Sequence, residues 1–411
     1  MGMYHNRSIW CTGGGVLCIA SFLFGIFPSL PISVAKAVDV TFIPKNILIF
    51  GGNGFIGSST AERLIAAGHK LTLVNRGNWY WDTGFYVQPH VQHIMCDRMQ
   101  AASKCSGLVD FVYYSDKIDA VVDFSAYHPQ SVADTLSALG GKVRLYIYIS
   151  TDSVYEVSAK NHTEPSLESD AVRPSSEEKQ KEFAAQESYG HRKLECEEIL
   201  ADYRQNKYGP PYVSLRLPDV FGQRDNTYRW WIYQLWMKLR PYLEKDIVVP
   251  SELEKKPISL VYVNDVADLI TQLVEHVPPE AIDQAFNLAL EETPSLMEIL
   301  QDIRSELNLP DLKIVLDNKP DTIRLFPSVH QGPVDISKAR KVLNWQPTEW
   351  KKAVKETVKF YESAIRTVHF DKARKEMIRT MQTYFTSKPY NVIRGLRDIY
   401  GLNYPEPRDE L

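Results

Sequence analysis

The stretch ILIFGGNGFIG, residues 47–57, is an apolar run that breaks into glycines. The run NILIF, residues 46–50, suits a strand buried on both faces. The segment that follows, FIGSSTAERLIAAGHK, sets Ile56, Ala61, Leu64 and Ile65 at helical spacing and stops at Gly68. Gly51, Gly54 and Gly57 therefore fall on a turn from strand to helix. Gly51 permits the sharp turn, Gly54 lets a pyrophosphate approach the backbone, and Gly57 lets the helix pack closely on the sheet. The helix opens with Phe55 and Ile56, whose amides, aided by the helix dipole, would hold phosphate charge.

A glycine pattern alone is weak evidence, but here its context is complete: strand before, helix after, second strand on schedule. That second strand, LTLVNRG (71–77), should end at the adenosine ribose of a dinucleotide. A carboxylate there would bind the 2′-hydroxyl of NAD. Asn75 and Arg76 stand there instead, and an arginine suits the 2′-phosphate of NADP. NADP is the expected cofactor and NAD the alternative; Arg76 also reads as a solvated turn residue. Further strand-like runs follow at 91–97 (VQHIMCD), 118–124 (IDAVVDF) and 144–150 (RLYIYIS), with a helical segment between the last two. This alternation predicts an α/β fold, a Rossmann-type doubly wound parallel sheet, with a smaller C-terminal substrate lobe.

The chemistry concentrates in SYGHRKLECEEIL, residues 188–200. Tyr189 and Lys193 stand at i and i+4, so on a helix they share a face. A phenol with a pKa near 10 relays protons poorly at neutral pH. A neighbouring ammonium favours phenolate and would lower that value. Thr151 leaves the end of the strand before this helix, and open parallel sheets bind ligands at such carboxyl ends.

The ordered set GGNGFIG, STDSVY, YGHRK, LRLPDVFG (215–222) and LVYVNDVADLI (260–270) resembles the extended short-chain dehydrogenase/reductases, which include the NAD(P)-dependent nucleotide-sugar epimerases and dehydratases. The resemblance runs over residues 46–362, through the late DISKARKVLNWQP. It implies that Thr151 hydrogen-bonds the reacting oxygen, that Tyr189 is the acid/base, and that Lys193 activates it and holds the nicotinamide ribose. Asp97 would meet adenine. Phe124, Ser125 and Ala126 would form the loop passing the cofactor, with Pro218 and Val220 beside the nicotinamide. It also implies a small-molecule substrate, a nucleotide sugar or a lipid among the candidates, and the homodimer common in the family.

The expected domains are an NAD(P)-binding unit at 44–225, to which 256–275 returns, and a substrate lobe at 226–255 and 276–365. The expected reaction is NADP-dependent hydride transfer at a carbonyl or alcohol carbon, with a nucleotide-sugar epimerase or dehydratase as the alternative. Two departures matter. Sugar-nucleotide dehydratases usually carry Thr-Asp-Glu at the active strand end; here it is Thr151-Asp152-Ser153, which weakens water elimination. VNRG is similar to an atypical branch that includes RNA-binding chloroplast proteins, a noncatalytic alternative against which the intact Tyr189 and Lys193 stand.

The 411 residues carry a formal charge of −4, so no general attraction to nucleic acid is expected. Residues 1–37 read as a signal peptide: a polar start, an apolar stretch at 15–27, then Ala35 and Ala37 in an A-x-A arrangement. The apolar stretch falls short of the roughly 20 residues of a membrane span; an uncleaved signal anchor is the other reading, and both put the remaining chain in a lumen. Residues 366–411 read as a helix with a solvated basic face and an exposed tail. That tail ends in Arg408-Asp409-Glu410-Leu411, close to the K-D-E-L address of the endoplasmic reticulum retrieval receptor. An endoplasmic reticulum lumenal protein is the expectation, and Asn161 in NHT is then a glycosylation sequon.

Beyond the leader stand Cys96, Cys105 and Cys196, an odd count that argues against a disulfide framework. A Cys96–Cys105 bridge and three buried thiols are both open. No Cys/His cluster has the spacing of a metal site. Three aromatic or basic features stay double-valued: the loop at 78–86 packs on the lobe or covers the site, the rings of 228–239 fill the smaller lobe or line a pocket, and Arg224 and Arg229 clasp a diphosphate or sit on the surface.

Overall fold

The computed structural model describes residues 42–160, 164–206, 208–319, 322–385 and 389–405. The leader, the Asn161 sequon and residues 408–411 lie outside the described residues. Among the described residues no helix is long and apolar enough to cross a membrane.

Eleven strands are described: β1 (Asn46–Phe50), β2 (Lys70–Asn75), β3 (Gln92–Met95), β4 (Ala120–Asp123), β5 (Tyr146–Thr151), β6 (Tyr212–Leu217), β7 (Asp219–Phe221), β8 (Ile247–Val249), β9 (Leu260–Tyr262), β10 (Gln284–Asn287) and β11 (Ile314–Leu316). Seven form one parallel sheet in the order β10-β6-β5-β4-β1-β2-β3. This is the Rossmann-type α/β fold expected from the sequence. The strand order reverses between β1 and β4, and ligands bind at the carboxyl ends of such a switch point.

The alternation within β1 shows why the sheet is covered on both sides. Ile47 and Ile49 join Leu64, Val266 and Ile270 from the helices Phe55–Ala66 and Val263–Glu275. Leu48 and Phe50 join Leu108, Leu136 and Leu200 from the helices Ser106–Tyr114, Pro129–Leu139 and Ser188–Asn206 on the opposite face. Successive side chains of a strand point to opposite faces, so an unbroken apolar run needs helices on each.

One expected assignment differs. Residues 284–287 were placed in the smaller lobe, but β10 is the edge of the main sheet, where it pairs with β6 and buries Phe286. The four-residue stretch QAFN is too short for a pattern of its own. Its place is set by pairing with Val213–Arg216, which is far away in the chain.

The smaller core forms around the helix Arg229–Leu243. Trp230, Trp231, Tyr233 and Trp236 are all fully buried. Residues 230–237 of that helix are buried on every side, and neighbouring helices supply the cover at Leu296–Glu306, Trp350–Ala364, Asp371–Tyr384 and the C-terminal Pro389–Tyr400. The C-terminal region is two helices rather than one. Asp371–Tyr384 exposes Lys372, Lys375 and Arg379, the solvated basic face expected, while Ala373, Met377, Ile378 and Met381 turn inward to the same core.

Candidate active site

A cleft of about 840 Å³ opens at the carboxyl ends of β1, β2, β4, β5 and β6. That volume is typical of a site for a cofactor and small ligand.

One end is the glycine turn. Gly51 adopts φ +79°, a conformation that side chains rarely take. Its carbonyl accepts the Gly54 N–H at 3.1 Å, which closes the turn. A Cβ on Gly57 would fall on that same carbonyl, inside the 3.0 Å limit that real Cβ atoms respect. The first helical turn carries no acidic side chain and no side-chain cap, which leaves its amides to an anion. Phe55 and Ile56 lie on the cleft wall there. The Gly57→Ala protein is expected to keep its fold yet lose dinucleotide binding at least tenfold, read by cofactor titration. Unchanged affinity would show that the turn does not hold the pyrophosphate.

Asn75 and Arg76 line the wall at the end of β2, Asn75 buried and Arg76 exposed. Asn75 Oδ1 accepts the Gly77 N–H at 2.8 Å, while its buried Nδ2 has no partner among the described residues. Asp97 lines the wall and accepts the Met99 N–H at 3.0 Å. Phe124, Ser125, Pro218 and Val220 also face the cleft. Ala126 does not. It is fully buried, and its carbonyl accepts Lys193 Nζ at 3.2 Å and the Tyr148 hydroxyl at 3.1 Å. Tyr127 takes the place on the wall expected of Ala126.

Thr151 ends β5, and the helix Ser188–Asn206 brings Tyr189 and Lys193 to the same cleft. The close approach depends on Gly190, where a Cβ would overlap the Ser153 carbonyl. The Thr151 hydroxyl accepts the Ser153 N–H at 3.2 Å and lies 3.2 Å from the Ser153 hydroxyl and 3.3 Å from an Asp152 carboxylate oxygen.

Electrostatically the trio differs from the expectation. Tyr189 is 38% exposed at the cleft, yet the protein around its phenol desolvates it and pushes its pKa up; the Thr151 hydroxyl pulls weakly the other way. The protein alone therefore leaves the phenol's pKa raised rather than lowered, despite Lys193 on the next turn. Lys193 is buried, donates to the carbonyls of Ile149 (2.7 Å) and Ala126, and sits 5.8 Å from the Tyr189 ring centroid. Burial pulls the ammonium itself down to about 8. Desolvation outweighs the neighbouring charge, and spacing on a helix reports nothing about desolvation.

Asp219 and Ser328 on the wall carried no sequence signal, and the burial of Asp152 carried none either. Asp152 is buried, and desolvation followed by the nearby Asp219 raises its pKa well above the usual carboxylate range. Asp219 pairs with Arg229 and accepts the Ser328 N–H (2.7 Å) and hydroxyl (2.6 Å). Arg224, by contrast, is off the wall and pairs with Asp82 and Glu62. The aromatic loop divides: Tyr80 faces the cleft, while Trp81 is buried 5.3 Å from the Trp231 ring. Cys96 and Cys105 form a disulfide, and Cys196 is free and buried. Among the described residues no group of His, Cys, Asp and Glu is placed to hold a metal ion.

A glycine turn with uncapped amides, an orphaned buried donor at the end of β2 and a Thr-Tyr-Lys trio at the other end fit a dinucleotide-dependent enzyme site. The sequence model of the NAD dependent epimerase/dehydratase family matches residues 47–289, and the chain belongs to that family. A nicotinamide cofactor follows from that membership, and the site's residues fit one.

Among curated proteins, the chloroplast stem-loop binding protein of 41 kDa b from Arabidopsis thaliana is 28% identical over 322 residues, 74% of this chain and 75% of that protein. An Arabidopsis trifunctional UDP-glucose 4,6-dehydratase/UDP-4-keto-6-deoxy-D-glucose 3,5-epimerase/UDP-4-keto-L-rhamnose-reductase is 23% identical over 353 residues, 78% of this chain; the chain spans about half, 48%, of that enzyme. Two solved structures share the fold. The UDP-glucose 4-epimerase of Thermotoga maritima with UDP-glucose has a TM-score of 0.60 at 19% identity, covering 78% of this chain and 99% of that one. The dTDP-glucose 4,6-dehydratase of Bacillus anthracis in complex with NAD has a TM-score of 0.58 at 16% identity, covering 78% and 97%.

Proposed function

We propose that the chain is an epimerase-type enzyme acting on a nucleotide sugar and retaining its nicotinamide cofactor through the cycle. The observation that carries this reading is the convergence of Thr151, Tyr189 and Lys193 with the glycine turn in one cleft, in a member of this family. The names of the dehydratase and epimerase relatives supply the substrate class. Ser153 in place of a glutamate favours epimerisation over water elimination. When bound, the nicotinamide supplies a hydride acceptor and donor. Thr151 holds the sugar oxygen, Tyr189 exchanges its proton, and Lys193 holds the ribose and supplies positive charge beside the phenol.

The test is mass spectrometry of what the purified protein releases on denaturation, paired with NADPH and NADH titrations. Released NAD(H) with no uptake of added cofactor supports the closed cycle. A protein that releases none and takes up NADPH overturns it and favours the second reading, an NADP-dependent oxidoreductase with net hydride transfer. Asn75 and Arg76 favour that second reading, since no carboxylate ends β2. If Arg76 reads a 2′-phosphate, Arg76→Ala weakens NADPH binding about tenfold and leaves NADH within about twofold; equal loss for both would remove that role.

The location we propose is the endoplasmic reticulum lumen, on the leader and the RDEL terminus. Removal of Leu411 should send the protein into the medium, and intracellular retention of the truncated chain would overturn this.

A further inference from the structure

The disulfide belongs to the cleft. Cys96 directly follows β3 and lies on the cleft wall with Asp97, Arg98 and Met99. Its partner Cys105, with Cα atoms 5.9 Å apart, is buried where the helix Ser106–Tyr114 begins. The bridge thus closes a short loop, residues 97–104, whose first three residues line the cleft.

That loop has an inner and an outer fastening, with Ala102 buried in the core between them. The inner one is Arg98, which donates to Asp123 at 2.5 Å and to the Ser131 carbonyl at 3.4 Å and lies 4.0 Å over the Phe50 ring. The outer one is the bridge. Without it, residues 99–104 keep the local turn, Met99 N–H on Asp97 and Gln100 N–H on the Asp97 carbonyl, but lose the covalent tie that sets that turn against the cleft. The two cysteines also differ in access. Cys96 is partly exposed on the wall and Cys105 is buried. A ligand lying along the wall would cover Cys96. The third thiol, Cys196, is buried in the same core as Cys105, and burial pushes its pKa up to about 11, which leaves it unreactive.

We propose that the Cys96–Cys105 bridge is a redox-sensitive clasp on the adenine end of the cofactor cleft, so that cofactor binding and the oxidised bridge favour one another. The inference rests on the placement of adenine against Asp97. Reduction by a dithiol such as dithiothreitol proceeds by thiolate attack on the reachable Cys96 sulfur. The S–S bond breaks, Cys105 leaves and takes up a proton, and the second dithiol sulfur releases Cys96. Two electrons and two protons pass to the protein, and the dithiol ends as its cyclic disulfide. Linkage then requires reciprocity: if the bridge tightens cofactor binding by some factor, bound cofactor shifts the bridge's reduction equilibrium by the same factor.

The experiment first removes any retained cofactor from the purified protein, then measures its NADPH and NADH affinity with the bridge oxidised, after dithiothreitol, and after reoxidation. Thiol content is then followed by alkylation and mass spectrometry across a glutathione redox series, with and without saturating cofactor. The expected result is about tenfold weaker binding on reduction, restored on reoxidation, with the glutathione equilibrium shifted about tenfold by cofactor. Cys105→Ser should bind like the reduced protein and ignore dithiothreitol. A purely structural bridge would lower the unfolding temperature but leave the glutathione equilibrium indifferent to cofactor, and that result overturns the proposal. Equal affinities in the two states overturn the clasp and leave the cofactor placement standing. No binding to the oxidised protein overturns the placement itself and the clasp with it.

Discussion

Tyr189→Phe is expected to lose turnover about 10³-fold while the nicotinamide cofactor still binds. The substitution removes one oxygen at the mouth of the cleft and leaves the ring, its helix and Lys193 in place. The phenol is the group able to pass a proton beside Thr151, and its raised pKa keeps it protonated at neutral pH in the protein alone. It is therefore set first to donate, and stabilising its phenolate falls to Lys193, whose ammonium titrates near 8. A depressed lysine pKa has a definite sign in the pH profile. Below about 8 the ammonium carries its charge; above it the charge is lost and so is the support for phenolate. The kcat/KM on the UDP-sugar that the wild-type protein converts should fall as pH rises through about 8, and Lys193→Met should lack that limb. Steady-state kinetics across pH 6 to about 9.5 read both effects, with cofactor affinity as the control. Turnover within tenfold of wild type in Tyr189→Phe would remove the tyrosine from the chemistry.

The parts of this site that are legible in the sequence are those whose signal is local. The glycine turn is readable because strand, turn and helix are contiguous and each glycine has a steric task within a few residues. Tyr189 and Lys193 are readable because a helix fixes where i and i+4 point. Legibility ends where long-range packing decides. Arg224 and Arg229 look alike in the chain, yet the first is drawn to Asp82 and Glu62 and the second to Asp219 on the wall. Ser328 reaches the site only because Asp219 accepts from it, across a separation no motif spans. Ala126 and Tyr127 are neighbours after β4, and which of them faces the ligand depends on a backbone direction set by Asp123, whose Oδ1 accepts the N–H groups of Ser125 and Ala126. The pKa of Lys193 depends on its burial beneath Tyr127, Tyr148 and Tyr189, which spacing cannot report.

A buried ion pair ties the helix that carries Tyr189 and Lys193 to the sheet, and breaking it should be strongly destabilising. Arg216 of β6 meets Glu197 through two hydrogen bonds, Nε to Oε1 at 3.1 Å and Nη2 to Oε2 at 2.6 Å. Both side chains are nearly excluded from water. The pair is wired further: Ser150 donates to Glu197 at 2.5 Å, while Arg216 donates to the Tyr155 hydroxyl and the Glu168 carbonyl. Glu197 lies one turn beyond Lys193 on the same helix, so the pair fixes that helix against β5 and β6. Arg216→Met leaves a buried carboxylate with the Ser150 hydroxyl alone, and the expected loss is about 3–5 kcal/mol, read by urea unfolding. The penalty comes from the stranded charge more than from the lost attraction. Removing both charges in Arg216→Met/Glu197→Leu should therefore recover most of the stability, a coupling visible in the double-mutant cycle. The recovered protein should still turn over slowly, because an apolar pair fills the space without the directional bonds that set Tyr189 and Lys193 over the cleft. A single variant that loses less than about 1 kcal/mol would mean that packing alone holds the helix.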